Sequence, residues 1–288
     1  MIEALIRFEL GRAVRRGSLP AACVLFGLLA AGATALGHGS YRQLGLGTVS
    51  PAAVVLLNLG ILFPSAYALM TGALALQADR DGGLLAMLRA AGLSGAGVTV
   101  AKLVATIVPS WVVVLSGFGA SALVLGGNVG LADLAPFGEV LITALLVSAA
   151  AGAIGVLIAA AVRGRQQAST AGLAVWFTLA IGLDLLAIAI TPALRIGPTG
   201  LLLIVLADPL EGGRVLGLLA LGADIQVLGP FGAYLLATFG RTGATVVLIL
   251  AQLAWIVVPA AIAARALGRV PRGSRESSGD RAARAIAL

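Results

Sequence analysis

Three stretches of this chain, residues 17–41, 43–78 and 103–132, contain no Asp, Glu, Lys or Arg. Each exceeds the roughly 20 residues that carry an α-helix through the hydrocarbon of a bilayer, and none alternates apolar and polar positions as a membrane β-strand does. Backbone inside hydrocarbon has no water to bond to, so long unalternated apolar runs leave helices as the way to satisfy it. Composition agrees: residues are 60% hydrophobic and 11% charged with a mean hydropathy of +1.07, against roughly 45–50% apolar and 25% charged in soluble domains. The expected fold class is an all-α integral membrane protein.

Six spans are expected, at about 18–37, 52–76, 103–125, 137–162, 168–190 and 243–264. Residues 1–16 place Ile2, Leu5, Ile6, Leu10, Ala13 and Val14 on one helical face and most of the charges on the other. That pattern predicts an amphipathic helix lying in the membrane interface, and it lacks the cleavage site of a leader. Both termini are expected in the cytoplasm, because fifteen of the nineteen basic residues then lie on the inner side. The same placement explains the net charge of +7 without nucleic acid, which is not an expected partner. The segment 191–242 carries Asp208, Glu211, Arg214 and Asp224 among several prolines. Charges at membrane depth cost about 2.5–3.5 kcal/mol each, so short re-entrant or surface helices on the outer side fit better than a straight span. Residues 265–288 form a basic cytoplasmic tail, expected to be disordered.

The longest polar interruption in the first two thirds of the chain is 77–102, between spans two and three. Leu84, Met87, Leu88 and Ala91 recur there at helical spacing while Arg80, Asp81 and Arg89 fall elsewhere, which predicts a short helix offered to a partner. Leu84, Met87 and Leu88 are its expected docking face. The glycines at 92, 95 and 97 are expected to make this loop pliant.

Chemistry is sparse. No phosphate-binding loop, nucleophile elbow or HExxH pattern is present, so no enzymatic activity is expected of the chain itself. One histidine, one cysteine and three methionines do not make a soft-metal or zinc site, and no cofactor or metal is expected. Asp184 is the one carboxylate well inside a span. It reads either as a contact to a neighbouring helix or outer loop, or as part of a pathway. Ser148, Gly152 and Gly155 permit close helix packing in span four, and Trp111, Trp176 and Trp255 read as packing residues.

With these residues in place, the chain resembles the permeases of type-2 ABC exporters over nearly its whole length. The loop after the second span of those permeases typically reads ERExGTLExLL, then PxSR, then GK. Asp79, Arg80, Asp81, Gly83, Leu85, Leu88, Ser94 and Lys102 match or conservatively replace that pattern without a gap. Leu84, Ala86, Gly92, Gly95 and Ala101 depart from it. Two further stretches are similar to the branch that serves multicopper enzyme maturation, such as that of nitrous oxide reductase. One is the fifth span with Trp176, Phe177, Asp184 and Leu185, and the other the outer segment with Asp208, Pro209 and Arg214.

The resemblance implies a homodimeric permease in the inner membrane, driven by two copies of a separate ATPase. Asp79, Arg80, Asp81, Gly83, Leu84, Leu85, Met87, Leu88 and Arg89 would be its coupling residues. A periplasmic partner protein is also implied, alongside membrane lipid. Without a track of Cys, Met or His, a copper-maturation role points to a sulfur-containing or other cargo, or to motion passed to an outer partner. A generic exporter of a drug, lipid or peptide is the alternative, and a non-transporting scaffold a second. A secondary carrier using Asp184 for protons would be expected to show an internal repeat, and none is visible.

Overall fold

The computed structural model describes residues 2–15, 17–40, 51–125, 135–194, 196–221 and 229–268. Among them there is no strand, and six helices are long and apolar enough to cross a membrane. The elements are α1 (Ile2–Val14), α2 (Ser18–Ser40), α3 (Pro51–Ala73), α4 (Gln77–Asp81), α5 (Leu84–Ala90), α6 (Gly95–Leu125), α7 (Ala135–Ala161), α8 (Arg165–Phe177), α9 (Leu183–Leu194), α10 (Pro198–Ala207), α11 (Pro209–Ala220) and α12 (Gly229–Gly268). Spans one to four are built on α2, α3 with α4, α6 and α7. Span five joins α8 to α9 through a π-turn at Thr178–Gly182, and span six is α12. The chain is a multi-pass membrane protein.

The centre of the bundle is the pair α3 and α7, which pack more extensively than any other two elements. A Cβ on Gly72 would stand 2.8 Å from the Gly152 carbonyl oxygen, and one on Gly155 would collide with the Leu69 carbonyl. The small-residue pattern of span four is therefore the contact that brings the two backbones together. Leu56, Leu57, Ile61, Leu69, Ala144, Val147 and Ala151 fill the space around it. Proline lies inside three of the long helices, Pro64, Pro109 and Pro259, where membrane helices tolerate it because neighbours satisfy the freed carbonyl.

The tryptophans pin helices to one another: Trp111 Nε1 donates to Leu145 O at 3.0 Å, Trp176 Nε1 to Ser65 Oγ at 3.3 Å and Trp255 Nε1 to Leu206 O at 3.0 Å.

The segment between spans five and six forms a hairpin of two short helices, α10 and α11, that dips into the bundle. Asp208 is its apex: the side-chain Oδ1 accepts the Leu210 and Glu211 N–H groups at 2.8 and 3.4 Å, and Pro209 occupies the first helical position, a combination that starts a helix abruptly. Gln252 Nε2 donates to Pro209 O at 2.7 Å. Gln252 stands twelve residues past Gly240, about 18 Å along span six, so the apex is re-entrant rather than surface-lying. Gly240 (φ 65°, ψ 174°) kinks α12, leaving residues 229–239 as a separate cap over the hairpin, with Phe231 and Leu235 on Leu202, Val205 and Leu219.

At the other end of the bundle, α1, α4, α5 and the last turn of α12 come together around Leu5, Leu76, Leu93, Val98, Ala101 and Leu267. The loop between spans two and three is shorter than expected, because α6 begins at Gly95 and Lys102 lies inside a helix. Residues 269–288 of the expected tail, the loop residues 41–50 and 126–134, and Asp224 lie outside the described residues.

Candidate coupling site

Lys102 is 1% exposed, which an ammonium group tolerates only with counter-charges beside it. Two are present. Its Nζ lies 2.8 Å from Glu9 Oε1 and in a short contact with Asp79 Oδ2. Arg12 Nη1 closes the group, 2.7 Å from Asp79 Oδ1 and 3.5 Å from Glu9 Oε1. Two acids and two bases from three elements thus neutralise one another in a mostly dry site. The Asp79 hydrogen bond raises the Arg12 pKa above its ordinary value, against a lowering by burial.

The group has a mechanical meaning. Asp79 belongs to α4, the continuation of span two; Lys102 belongs to span three; Glu9 and Arg12 belong to α1. None of these elements can shift relative to the others without separating buried charges.

A second set of bonds ties α4 to span four. Arg80 donates from Nη1 to Val162 O at 2.5 Å and from Nη2 to Ala160 O at 3.0 Å. Gln77 donates to Val162 O at 3.2 Å and accepts the Gly164 N–H at 3.0 Å. Arg80 and Gln77 therefore satisfy carbonyls left open where α7 ends.

α5 projects from this base. Gly83 (φ 71°) precedes it and Gly92 (φ 85°) follows it, both in the left-handed region where a side chain is strained. Gly95 lies against span six so closely that a Cβ would stand 2.6 Å from the Gly268 nitrogen. Of the glycines at 92, 95 and 97, Gly92 thus sets a turn and Gly95 makes a close contact.

Leu85 and Leu88 pack inward on the Leu5 and Leu267 cluster, whereas Met87 is 69% exposed and Ala86 and Ala90 lie open. Leu84 and Arg89 are half-buried, and Asp81 is exposed. Of the expected docking face Leu84, Met87 and Leu88, Leu88 faces the protein itself. Beside α4, a cavity of about 780 Å3 opens between span two and the start of span five, walled by Phe63, Tyr67, Met70 and Leu74 and rimmed by Gln77, Asp81 and Arg165.

A separate polar cluster sits toward the hairpin end. Arg214 of α11 donates from Nε to Asn58 Oδ1 at 3.1 Å and from Nη1 to Asp184 Oδ2 at 3.2 Å, and makes a short contact to Glu211. Asp184, Asp208 and Arg214 belong to one region, but Arg214 holds Asp184 and Asp208 caps α11. Among the described residues no group of three or more His, Cys, Asp or Glu could hold a metal ion.

Sequence reasoning missed Glu9, Arg12 and Asn58 as partners and placed Lys102 in a loop. A lysine with an apolar run directly after it, and charges of both signs on the amphipathic first helix, were the available signals.

A family model for ABC-2 family transporter proteins matches residues 4–270. The chain belongs to the ABC-2 transporter family. It is also 27% identical over 242 residues to the probable ABC transporter permease protein NosY of Stutzerimonas stutzeri, a match covering 77% of this chain and 87% of that protein. As an ABC-2 member the chain is the transmembrane permease subunit of an ABC transporter, the ATPase lying in a partner.

Proposed function

We propose that the α5 end of the bundle is cytoplasmic and that α5, with Met87 foremost, seats in a cleft of a separate ABC ATPase, two ATPase copies serving two permeases in the inner membrane. The observation that carries this is the buried group of Glu9, Arg12, Asp79 and Lys102. A force on α5 passes into α4 and hence to spans two and three and α1 as one body, while Arg80 carries it to span four. ATPase closure would then shift a two-state bundle whose cavity beside α4 changes shape.

Maturation of a periplasmic copper enzyme such as nitrous oxide reductase is the setting we favour, supported by the likeness of span five and of the outer segment to that branch. Cargo there would be sulfur-containing or another species, or motion alone would reach an outer partner protein.

The test is co-purification with a P-loop ATPase and permease-stimulated ATP hydrolysis in lipid. Met87→Asp is expected to weaken both while the permease stays folded. Undiminished stimulation in that variant refutes the assignment of α5. ATP-dependent uptake of free copper ions into proteoliposomes would refute the reading of the cargo.

A further inference from the structure

Asp208 and Gln252 are each 1% exposed. Each buries one oxygen, Asp208 Oδ2 and Gln252 Oε1, that has no hydrogen-bond partner among the described residues, where buried polar atoms are normally bonded. The two belong to one place. Gln252 Nε2 bonds the carbonyl of Pro209, the residue after Asp208. A Cβ on Gly212 or Gly213 would stand 3.4 or 3.6 Å from the same nitrogen, so the amide lies on the helical turn that Asp208 caps. Turning the amide over is no remedy, because Oε1 would then face the Pro209 carbonyl, acceptor against acceptor.

Charge points the same way. Arg214 pairs with Asp184 and Glu211, while Asp208 is in no ion pair among the described residues. The elements packed on α11 bring no further base to the apex. α3, α10 and the π-turn carry no Asp, Glu, Lys, Arg or His, and α7 carries only the acid Glu139. On α12, Arg241 bonds the Leu219 carbonyl at the opposite end of α11, and Arg265 stands thirteen residues past Gln252. An ionised Asp208 would set a third negative charge beside a single positive one, with one of its oxygens desolvated and unbonded.

We propose that Asp208 binds a proton and donates it from Oδ2 to Gln252 Oε1, making a proton-held latch between the re-entrant hairpin and span six. One hydrogen fills both empty bonding positions, and Oδ1 keeps its role as the cap of α11. Lifting the apex off Gln252 brings Asp208 to water, where a carboxyl ionises. The Oδ2–H bond then breaks and the proton passes to water, one for each chain. The closed hairpin binds this proton and the open one does not, so closure is favoured as pH falls and lost as pH rises. The latch goes beyond the coupling role proposed for α5 and does not depend on it.

The test uses the whole transporter in lipid nanodiscs. By infrared spectroscopy the wild type is expected to show the carbonyl band of a protonated carboxyl that Asp208→Asn lacks. Gln252→Met is expected to shift that band upward, since the O–H loses its acceptor. By amide hydrogen exchange, corrected for the chemical rate, protection of α10 and α11 in the wild type is expected to fall about tenfold per pH unit above the titration of the site. Protection in Asp208→Asn, whose amide donates to Oε1 at any pH, is expected to stay constant. Should that variant express poorly, Asp208→Ser, which also caps a helix, replaces it in both measurements.

An acid band that is the same in wild type and variant overturns the bound proton and leaves a water between the two oxygens. A band that ignores Gln252→Met overturns the partner. Protection of the hairpin that does not change with pH in the wild type overturns the latch. Neither measurement reads ATPase stimulation, so each of these results leaves the proposed function standing.

Discussion

Lys102 Nζ lies 2.8 Å from Glu9 Oε1, and that contact joins the third span to the helix that precedes the first. With Asp79 on its other side, the lysine becomes a buried junction of three elements rather than the end of a loop.

Removing one member of a buried ion group leaves the others uncompensated, at about 3–5 kcal/mol. Lys102→Met should therefore lower the unfolding midpoint of the purified permease markedly, and Lys102→Arg, which keeps the charge, far less. Thermal or denaturant unfolding in lipid nanodiscs measures both.

The two faces of α5 separate docking from folding. Met87 is 69% exposed, so Met87→Asp should change permease stability by less than about 0.5 kcal/mol and weaken ATPase binding about tenfold or more. Leu88 packs against the cluster at the bundle end, so Leu88→Asp should destabilise the permease itself. Binding and unfolding measured on the same two variants make the comparison.

Where α3 and α7 touch, a methyl group has nowhere to go. Gly155→Ala places a Cβ against the Leu69 carbonyl and should cost about 1–3 kcal/mol through forced separation of the helices. Gly138→Ala, at a glycine of the same helix with nothing within 4 Å, is the control and should be neutral or slightly stabilising in the same unfolding assay.

Arg214 is the tie between the re-entrant hairpin, span two and span five. Arg214→Ala leaves Asn58, Asp184 and Glu211 without it, at roughly 1–3 kcal/mol. The loss should appear locally, as faster amide hydrogen exchange in α10 and α11, with exchange in α3 and α7 unchanged.

Much of this protein is legible in the order of its amino acids. Uncharged runs longer than a bilayer is thick demand helices, and six helices long and apolar enough to cross a membrane are present among the described residues. Pairing is less legible. Lys102 reads as loop because a lone lysine in hydrocarbon is costly, and Glu9, ninety-three residues earlier in the chain, together with Asp79 makes its burial tolerable. Leu88 and Met87 read as equivalent because helical spacing names a face without saying what lies under it.

By itself, then, the sequence determined the solvent each segment requires, since hydropathy and length act residue by residue along one chain. Tertiary structure alone decided which charges neutralise one another, which face of α5 remains free, and that Asp208 turns a hairpin at depth. Those outcomes depend on contacts between residues far apart in sequence, and their energies exist only once the helices have packed.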